Sequence, residues 1–377
     1  MSLIVINAIS ALRGGGQTYL INLLKHYNLS NNNAKIILIT HSKNKSIFSN
    51  IESDKISIFE AQLASKNIFH RVFWELFVLP IKLKSWNCNV YYAPGGIMLT
   101  KTPKNCLSIT TLQNMLPFDD TERKRFPFFS YIRFKLWLLR YVFLLSYSLS
   151  DKVIFISEYS KSVVKQYLPS VDKKSTVIPH GLNNNFLDSN QIYNLPEALR
   201  NTPFYLYVSI LDVYKAQKEI IEEWKLLSNQ EFDYPLVLVG PKYNQYGEEV
   251  INLITELQLT KQVIYLGEVP YEELPGLYKV SRALIFASSC ECCPNILLEK
   301  LAAAKPTFCS NIQPMPEFGD EAVIYFDPYT PKDLANKILM LEKDPAVMKT
   351  LSEKAYLQAS KFDWETTTQN TINFLLN

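Results

Sequence analysis

No stretch of this sequence reads D-x-D, the acidic pair that would hold a divalent cation against a diphosphate. Neither half carries G-x-G-x-x-G with an acidic residue about 20 positions later, which excludes the ordinary dinucleotide fingerprint and with it a nicotinamide-dependent oxidoreductase. No uninterrupted apolar run reaches the ~18 to 20 residues needed to span a bilayer, because Arg133, Lys135 and Arg140 break the most hydrophobic region. The opening MSLIVINAIS lacks the cationic start and small-residue cleavage site of a signal peptide, so a cytoplasmic location is expected. Cysteine is sparse at six residues, too few in 377 for a disulfide framework, so reduced thiols are expected. The cluster Cys290, Cys292, Cys293 has no paired C-x-x-C spacing and no nearby histidine, so no metal is assigned to it.

What is present suits a folded α/β protein: 47% apolar and 20% charged residues, in a chain longer than one core usually supports. Net charge is only +3, but residues 1–185 hold 23 basic and 10 acidic side chains, whereas residues 186–377 hold 16 and 26. A basic first half implies an anionic partner: nucleic acid, an acidic membrane surface or a phosphate-bearing substrate. The stacking-aromatic motifs of RNA readers are absent, which sets nucleic acid aside.

The first half opens as strand LIVINAI, a glycine turn, a helix carrying Tyr19, Leu20, Leu23 and Leu24, and strand KIILIT. Strands NVYYAP, CLSITTL and KVIFIS follow. The polar stretch from Val177 to Pro203 reads as a linker. A second set of buried strands begins at FYLYVSI and continues through PLVLVG, QVIYLG, ALIFAS, PTFCS and AVIYFD, separated by helical patterns. Two doubly wound parallel domains are implied, 1–183 and 184–360, with a C-terminal helix over 361–377 that could cross back to the first domain. Ligands in such sheets bind beyond the carboxyl ends of the strands, so an interdomain cleft lined by both sets of loops is expected.

The strongest chemical signal is the run from Glu291 to Glu299, two carboxylates spanning the loop after ALIFAS and the helix that follows. Pro294 and Asn295 suit the start of that helix, whose free N–H groups would bind an anion. On spacing alone, a solvated helix with two unrelated glutamates explains the pattern equally well. Gly14, Gly15 and Gly16 lie between the first strand and first helix, where backbone can approach a phosphate, although a plain tight turn would look the same.

The segments ISEYSKSVV and VIPHGL, YVSILDVYKAQ at 207–217, VIYLGEVPYEELPGLY at 263–278 and SSCECCPNILLEKLAAAKP at 288–306 together make the chain resemble the large retaining glycosyltransferase family 4 of the GT-B fold. The resemblance covers nearly the whole chain. It implies that Glu291 contacts hydroxyls of a donor sugar and that Glu299 holds the ribose of its nucleotide. It also assigns Lys215 to the donor diphosphate; the arginine usual at the preceding family position is Ile210 here, so more of that charge falls to Lys215 and to the amides of Cys293, Pro294's neighbour Asn295 and Ile296. Gly15 and Gly16 would face the diphosphate, and the loop from Gly267 through Val269 to Tyr271 would meet the base. Where many members carry a histidine near the transferred sugar, this chain has Gln113, which can donate a hydrogen bond but cannot serve as a general base near neutral pH.

The function implied is a retaining, metal-independent transfer of a sugar from a UDP- or GDP-sugar to a glycan or polyprenyl-diphosphate-linked acceptor, in bacterial surface polysaccharide assembly. A nucleotide-sugar epimerase of the same fold and a non-catalytic nucleotide-sugar-binding protein are the alternatives. The segment from Arg123 to Tyr147, with six cations among aromatic and aliphatic residues, is expected to meet an anionic membrane surface; a core helix with a basic outer face is the competing expectation.

Overall fold

A computed structural model describes residues 2–12, 14–188 and 193–377, so positions 189–192 of the expected linker lie outside the described residues. The chain divides into two compact units, Met1–Gly181 with Trp364–Asn377, and Leu182–Asp363.

The first unit is built on strands β1 (Leu3–Asn7), β2 (Lys35–Thr40), β3 (Ile56–Glu60), β4 (Val90–Ala93), β5 (Leu107–Leu112), β6 (Lys152–Phe155) and β7 (Ser175–Val177). They form one parallel sheet in the order β3-β2-β1-β4-β5-β6-β7. Its central strands are apolar on both faces because helices cover both. Ile4, Ile6 and Tyr92 face the helices Gly15–Leu29 and Trp364–Leu376, where Leu23, Leu24 and Ile372 complete a core. Val5 and Tyr91, one residue out of phase, face the other way onto Trp74, Leu79 and Leu83.

The second unit holds β8 (Tyr205–Val208), β9 (Leu236–Val239), β10 (Val263–Tyr265), β11 (Ala283–Phe286), β12 (Thr307–Ser310) and β13 (Ile324–Phe326), parallel and ordered β10-β9-β8-β11-β12-β13. Every residue of β8, β9, β11 and β12 is buried. Trp224 and Ile220 from the helix Gln217–Ser228 pack on one face with Leu334 and Ile338 from the helix Asp333–Glu342.

In each sheet the strand order reverses once, between β1 and β4 and between β8 and β11. Crossovers run to opposite faces on the two sides of such a point, so the loops leaving those strands splay apart and open a crevice at the carboxyl ends. The second unit therefore offers a site between the loop after β8 and the loop after β11.

Candidate active site

After Val208 the chain leaves the sheet through Ser209 and Ile210 into a short turn, Val213–Lys215, capped by the Asp212 carboxylate on the Val213 amide at 2.8 Å. Ala216 closes the turn in the left-handed region, φ 53°, before the next helix starts. This backbone carries Lys215 inward, where only 4% of it remains exposed. Its Nζ reaches Glu291 Oε1 and lies 3.3 Å from Ser288 Oγ. The Tyr214 ring lies 4.7 Å from the same ammonium and adds a cation–π contact.

The opposite wall is the loop after β11. The Ser289 amide donates to the Tyr214 carbonyl at 2.8 Å, and the Ser289 hydroxyl donates to it at 3.1 Å, which fastens the two loops across the reversal point. Ser288 Oγ donates to Glu291 Oε1 at 2.7 Å. Ammonium and hydroxyl thus converge on one carboxylate oxygen of Glu291, leaving Oε2 to accept from another donor. Residues 76 apart in sequence, each singled out by type, meet here as one ion pair.

Glu299 lies in the helix Asn295–Ala302, which is apolar on every side apart from Glu299, Lys300 and the half-buried Asn295 at its start. A helix of that kind is buried all round, and its charges are buried with it. Glu299 is buried, accepts a 2.9 Å bond from the Tyr271 hydroxyl, and burial pushes its carboxyl up to about 7. Lys300 is fully buried; its Nζ donates to the Val208 carbonyl at 3.0 Å and is ringed by Tyr278, Phe286 and Tyr207 at 5.2, 5.6 and 5.8 Å. Burial pulls this ammonium down to about 7, against the charge of Glu299, which raises it. Lys300 was not singled out from sequence, where a lysine in a helix reads as a solvated face. The signal was its setting, ILLEKLAAA, which leaves no polar face for it to occupy.

Tyr271 ties the loop that begins at Gly267 to Glu299, and Asn183 Nδ2 donates to the same hydroxyl at 3.2 Å. Gly267 has φ 77°, and its carbonyl accepts from the Gly240 amide at 2.8 Å; Val269 is half-buried nearby in the same loop. Gly240 is packed so closely that a Cβ would stand 2.0 Å from the Ser209 carbonyl, so the loop after β8 lies where it does only because this position has no side chain. Cys293 and Pro294 are buried at the start of the helix, with Asn295 and Ile296 half-buried. Of the amides expected to be free there, that of Asn295 is not. The Asn295 N–H donates to the Cys293 carbonyl at 2.9 Å and the Leu297 N–H to the Pro294 carbonyl at 2.8 Å, because the loop turns tightly enough to supply its own acceptors.

In the first unit, Gly14 caps the helix Gly15–Leu29 with φ 67°, a conformation that suits glycine. Gly15 faces open space, whereas a Cβ at Gly16 would meet Gln113 Oε1 at 3.2 Å. Gln113 follows β5, and its Nε2 is buried without a hydrogen-bond partner. His180 is buried and stacked on Tyr19 at 4.9 Å, inside the core of the first unit. Among the described residues all six cysteines are free, and no group of His, Cys, Asp or Glu could hold a metal ion.

Solved structures share this architecture along its length. A glycosyltransferase from Rickettsia africae ESF-5 superposes with a TM-score of 0.75 at 18% identity, covering 99% of this chain and 97% of that one. Anabaena Alr3699/HepE, solved in complex with UDP and glucose, gives 0.72 at 19% identity, covering 99% of each chain. These likenesses define the class: a GT-B fold, with two parallel Rossmann-like sheets of seven and six strands. Residues 194–358, most of the second unit, match the family described as Glycosyl transferases group 1. O-antigen chain mannosyltransferase B of Escherichia coli is 29% identical over 172 residues, so the match spans less than half of either protein, 45% of each.

Proposed function

We propose that the chain is a retaining glycosyltransferase that takes a UDP- or GDP-sugar as donor and builds a bacterial surface polysaccharide on a glycan or polyprenyl-diphosphate-linked acceptor. The observation that carries this reading is the Lys215–Glu291 pair, held at the reversal point of the second sheet with Glu299 and Tyr271 beside it. Lys215 has three protons and gives two of them to Glu291 and Ser288. The third is the one offered to a diphosphate oxygen, and the charge it supplies substitutes for a metal. Glu291 Oε2 accepts from a sugar hydroxyl, and Glu299 from the ribose.

Glu291 is held to a lysine and a serine, an arrangement suited to positioning rather than to nucleophilic attack. The acceptor hydroxyl then attacks the face from which the nucleoside diphosphate departs, and the leaving phosphate takes its proton. The protein contributes orientation and fixed charge. The O-antigen mannosyltransferase relative favours a hexose as the transferred sugar and polysaccharide as its destination. A cytoplasmic, membrane-peripheral location fits a lipid-linked acceptor.

The test is turnover of radiolabelled UDP- and GDP-sugars with and without a lipid-linked or glycan acceptor, in the presence of EDTA. Label passing to acceptor with EDTA present supports the reading. Conversion of the donor without acceptor points to an epimerase, and binding with no turnover points to a non-catalytic nucleotide-sugar-binding protein.

A further inference from the structure

Two helical runs of the first unit cover the same face of its sheet. Residues 68–85 form a continuous run, Ile68–Phe73, Trp74–Val78 and Leu79–Ser85, whose inner side packs on Val5 and Tyr91. The helix Tyr131–Leu149 packs Tyr147 against Phe155, 6.2 Å between rings. Phe155 alternates with Ile154, which points into the core on the opposite side, so Phe155 shares its face with Val5 and Tyr91. The loop after β4 ties the two runs together: the Met98 amide donates to Ser146 Oγ at 3.0 Å, and Thr100 Oγ1 donates to the Glu75 carbonyl at 2.9 Å.

An amphipathic helix with its apolar stripe buried should show water a polar side. These two do not. Along the first run Phe69, Phe73, Phe77 and Ile81 repeat every fourth residue and are all exposed, Phe69 by 82% and Ile81 by 70%. Along the second, Phe134, Leu138, Tyr141, Leu145 and Leu149 form an exposed stripe, preceded by Phe129 at 96%. The competing expectation of a basic outer face on this helix is therefore replaced by an apolar one. Contiguous apolar surface of this kind marks an interaction site.

Charge identifies what covers it. Residues 61–150 hold 12 basic and four acidic side chains. All four acids are occupied: Glu75 by Arg71, Glu122 by Arg125, Asp120 by Arg123 and Arg140, and Asp119 by the Thr121 and Glu122 amides. Lys66, Lys84, Lys124 and Lys135 stay exposed. Beside them a groove of about 790 Å³ has Phe129, Phe134 and Trp137 in its wall and Arg123 and Arg133 at its side. A second copy of the chain would bring the same excess of positive charge against itself. A bilayer with anionic headgroups supplies both complements, acyl chains for the aromatic stripes and negative charge for the lysines. Among the described residues no helix is long and apolar enough to cross a membrane, so the contact lies in the interface.

We propose that residues 68–85 and 128–149 form one membrane-docking face that inserts two apolar stripes shallowly into an anionic leaflet. This deepens the membrane part of the function proposed above and rests on it for its biological setting, but vesicle binding needs no donor and is tested apart from sugar transfer. The experiment is sedimentation of the full chain with vesicles of phosphatidylcholine alone or mixed with phosphatidylglycerol. Wild type is expected to bind only the mixed vesicles and to dissociate as salt rises. Phe69→Ser with Phe77→Ser, and separately Phe134→Ser with Leu138→Ser, should each weaken binding about tenfold or more, since each pair removes two inserted side chains. All four positions are exposed, so melting curves and turnover of a water-soluble acceptor should stay as in wild type. Unchanged vesicle binding by the Phe69/Phe77 variant would overturn the two-helix face. Failure of wild type to bind at low salt, or self-association abolished by the same variants, would overturn the membrane as its partner.

Discussion

The two units break the same rule in opposite directions. In the second unit charged groups are inside: Lys300 is fully buried, and Lys215 and Glu299 nearly so. In the first, large apolar groups are outside, along 68–85 and 128–149. Charges are expensive to bury and apolar stripes expensive to expose, so each departure points to something beyond the isolated chain that offsets the cost. Under the proposed function, the complement of the buried charges is a charged small molecule at the ends of β8 and β11. Under the docking proposal, that of the exposed stripes is an extended apolar phase. The difference teaches where each complement must come from: a site of a few ångströms needs fixed charges, and a docking surface needs area.

The comparison sharpens most at Lys215. Lys215→Ala should cut the transfer rate by roughly 30- to 1000-fold, the ~2 to 4 kcal/mol of one preorganised group, while vesicle binding stays at the wild-type level. A rate loss under tenfold would mean that other groups carry the diphosphate. Next in size, Gly240→Ala should destabilise the second unit by about 2 kcal/mol or more, because its Cβ collides with the Ser209 carbonyl and must push away the loop that holds Lys215. Chemical denaturation measures it, and a wild-type midpoint would contradict the close approach.

The smallest effect is the pH dependence of stability set by the buried Lys300 and Glu299. Lys300 is lowered to about 7, so its burial cost is complete below pH 7 and fades as pH rises toward the unfolded value of 10.5. Glu299 is raised to about 7, so its cost is absent below the unfolded value of 4.5 and complete above pH 7. The groups facing Lys300 are Glu299 on its own helix, Lys215, Glu291, Cys309, Tyr207 and Tyr278. Lys300→Met should therefore raise the melting temperature most below pH 7, and Glu299→Gln most above it. Parallel melting curves across that range would break the account of the pair.

Much of the fold could be read from apolar runs, because strands such as LVLV and ALIF are buried on both faces and leave no ambiguity of period. The strands that escaped, β3 and β7, are the two edges of the first sheet, half-exposed, with serine where a central strand would carry valine. The run 68–85 escaped as well, since apolar residues on every side give no helical period to detect. Lys215 and Glu291 were legible by residue type, but their pairing depends on the order of β8 and β11, a tertiary fact. The hydroxyl of Tyr271 on Glu299 was hidden for the same reason: what a side chain does in a core is decided by neighbours distant in sequence. The close approach of Gln113 to Gly16 joins the loop after β5 to the start of the first helix, which only the sheet brings together.

Glu291 is the residue on which the central claim is most exposed. Its carboxylate receives Lys215 and Ser288 on one oxygen and is assigned to the donor sugar through the other. The direct measurement is transfer of radiolabel from a UDP- or GDP-sugar that the wild type turns over, repeated with Glu291→Gln at equal concentration and confirmed fold. The account predicts near-complete loss of transfer with melting temperature and vesicle binding retained, and turnover close to wild type would contradict it.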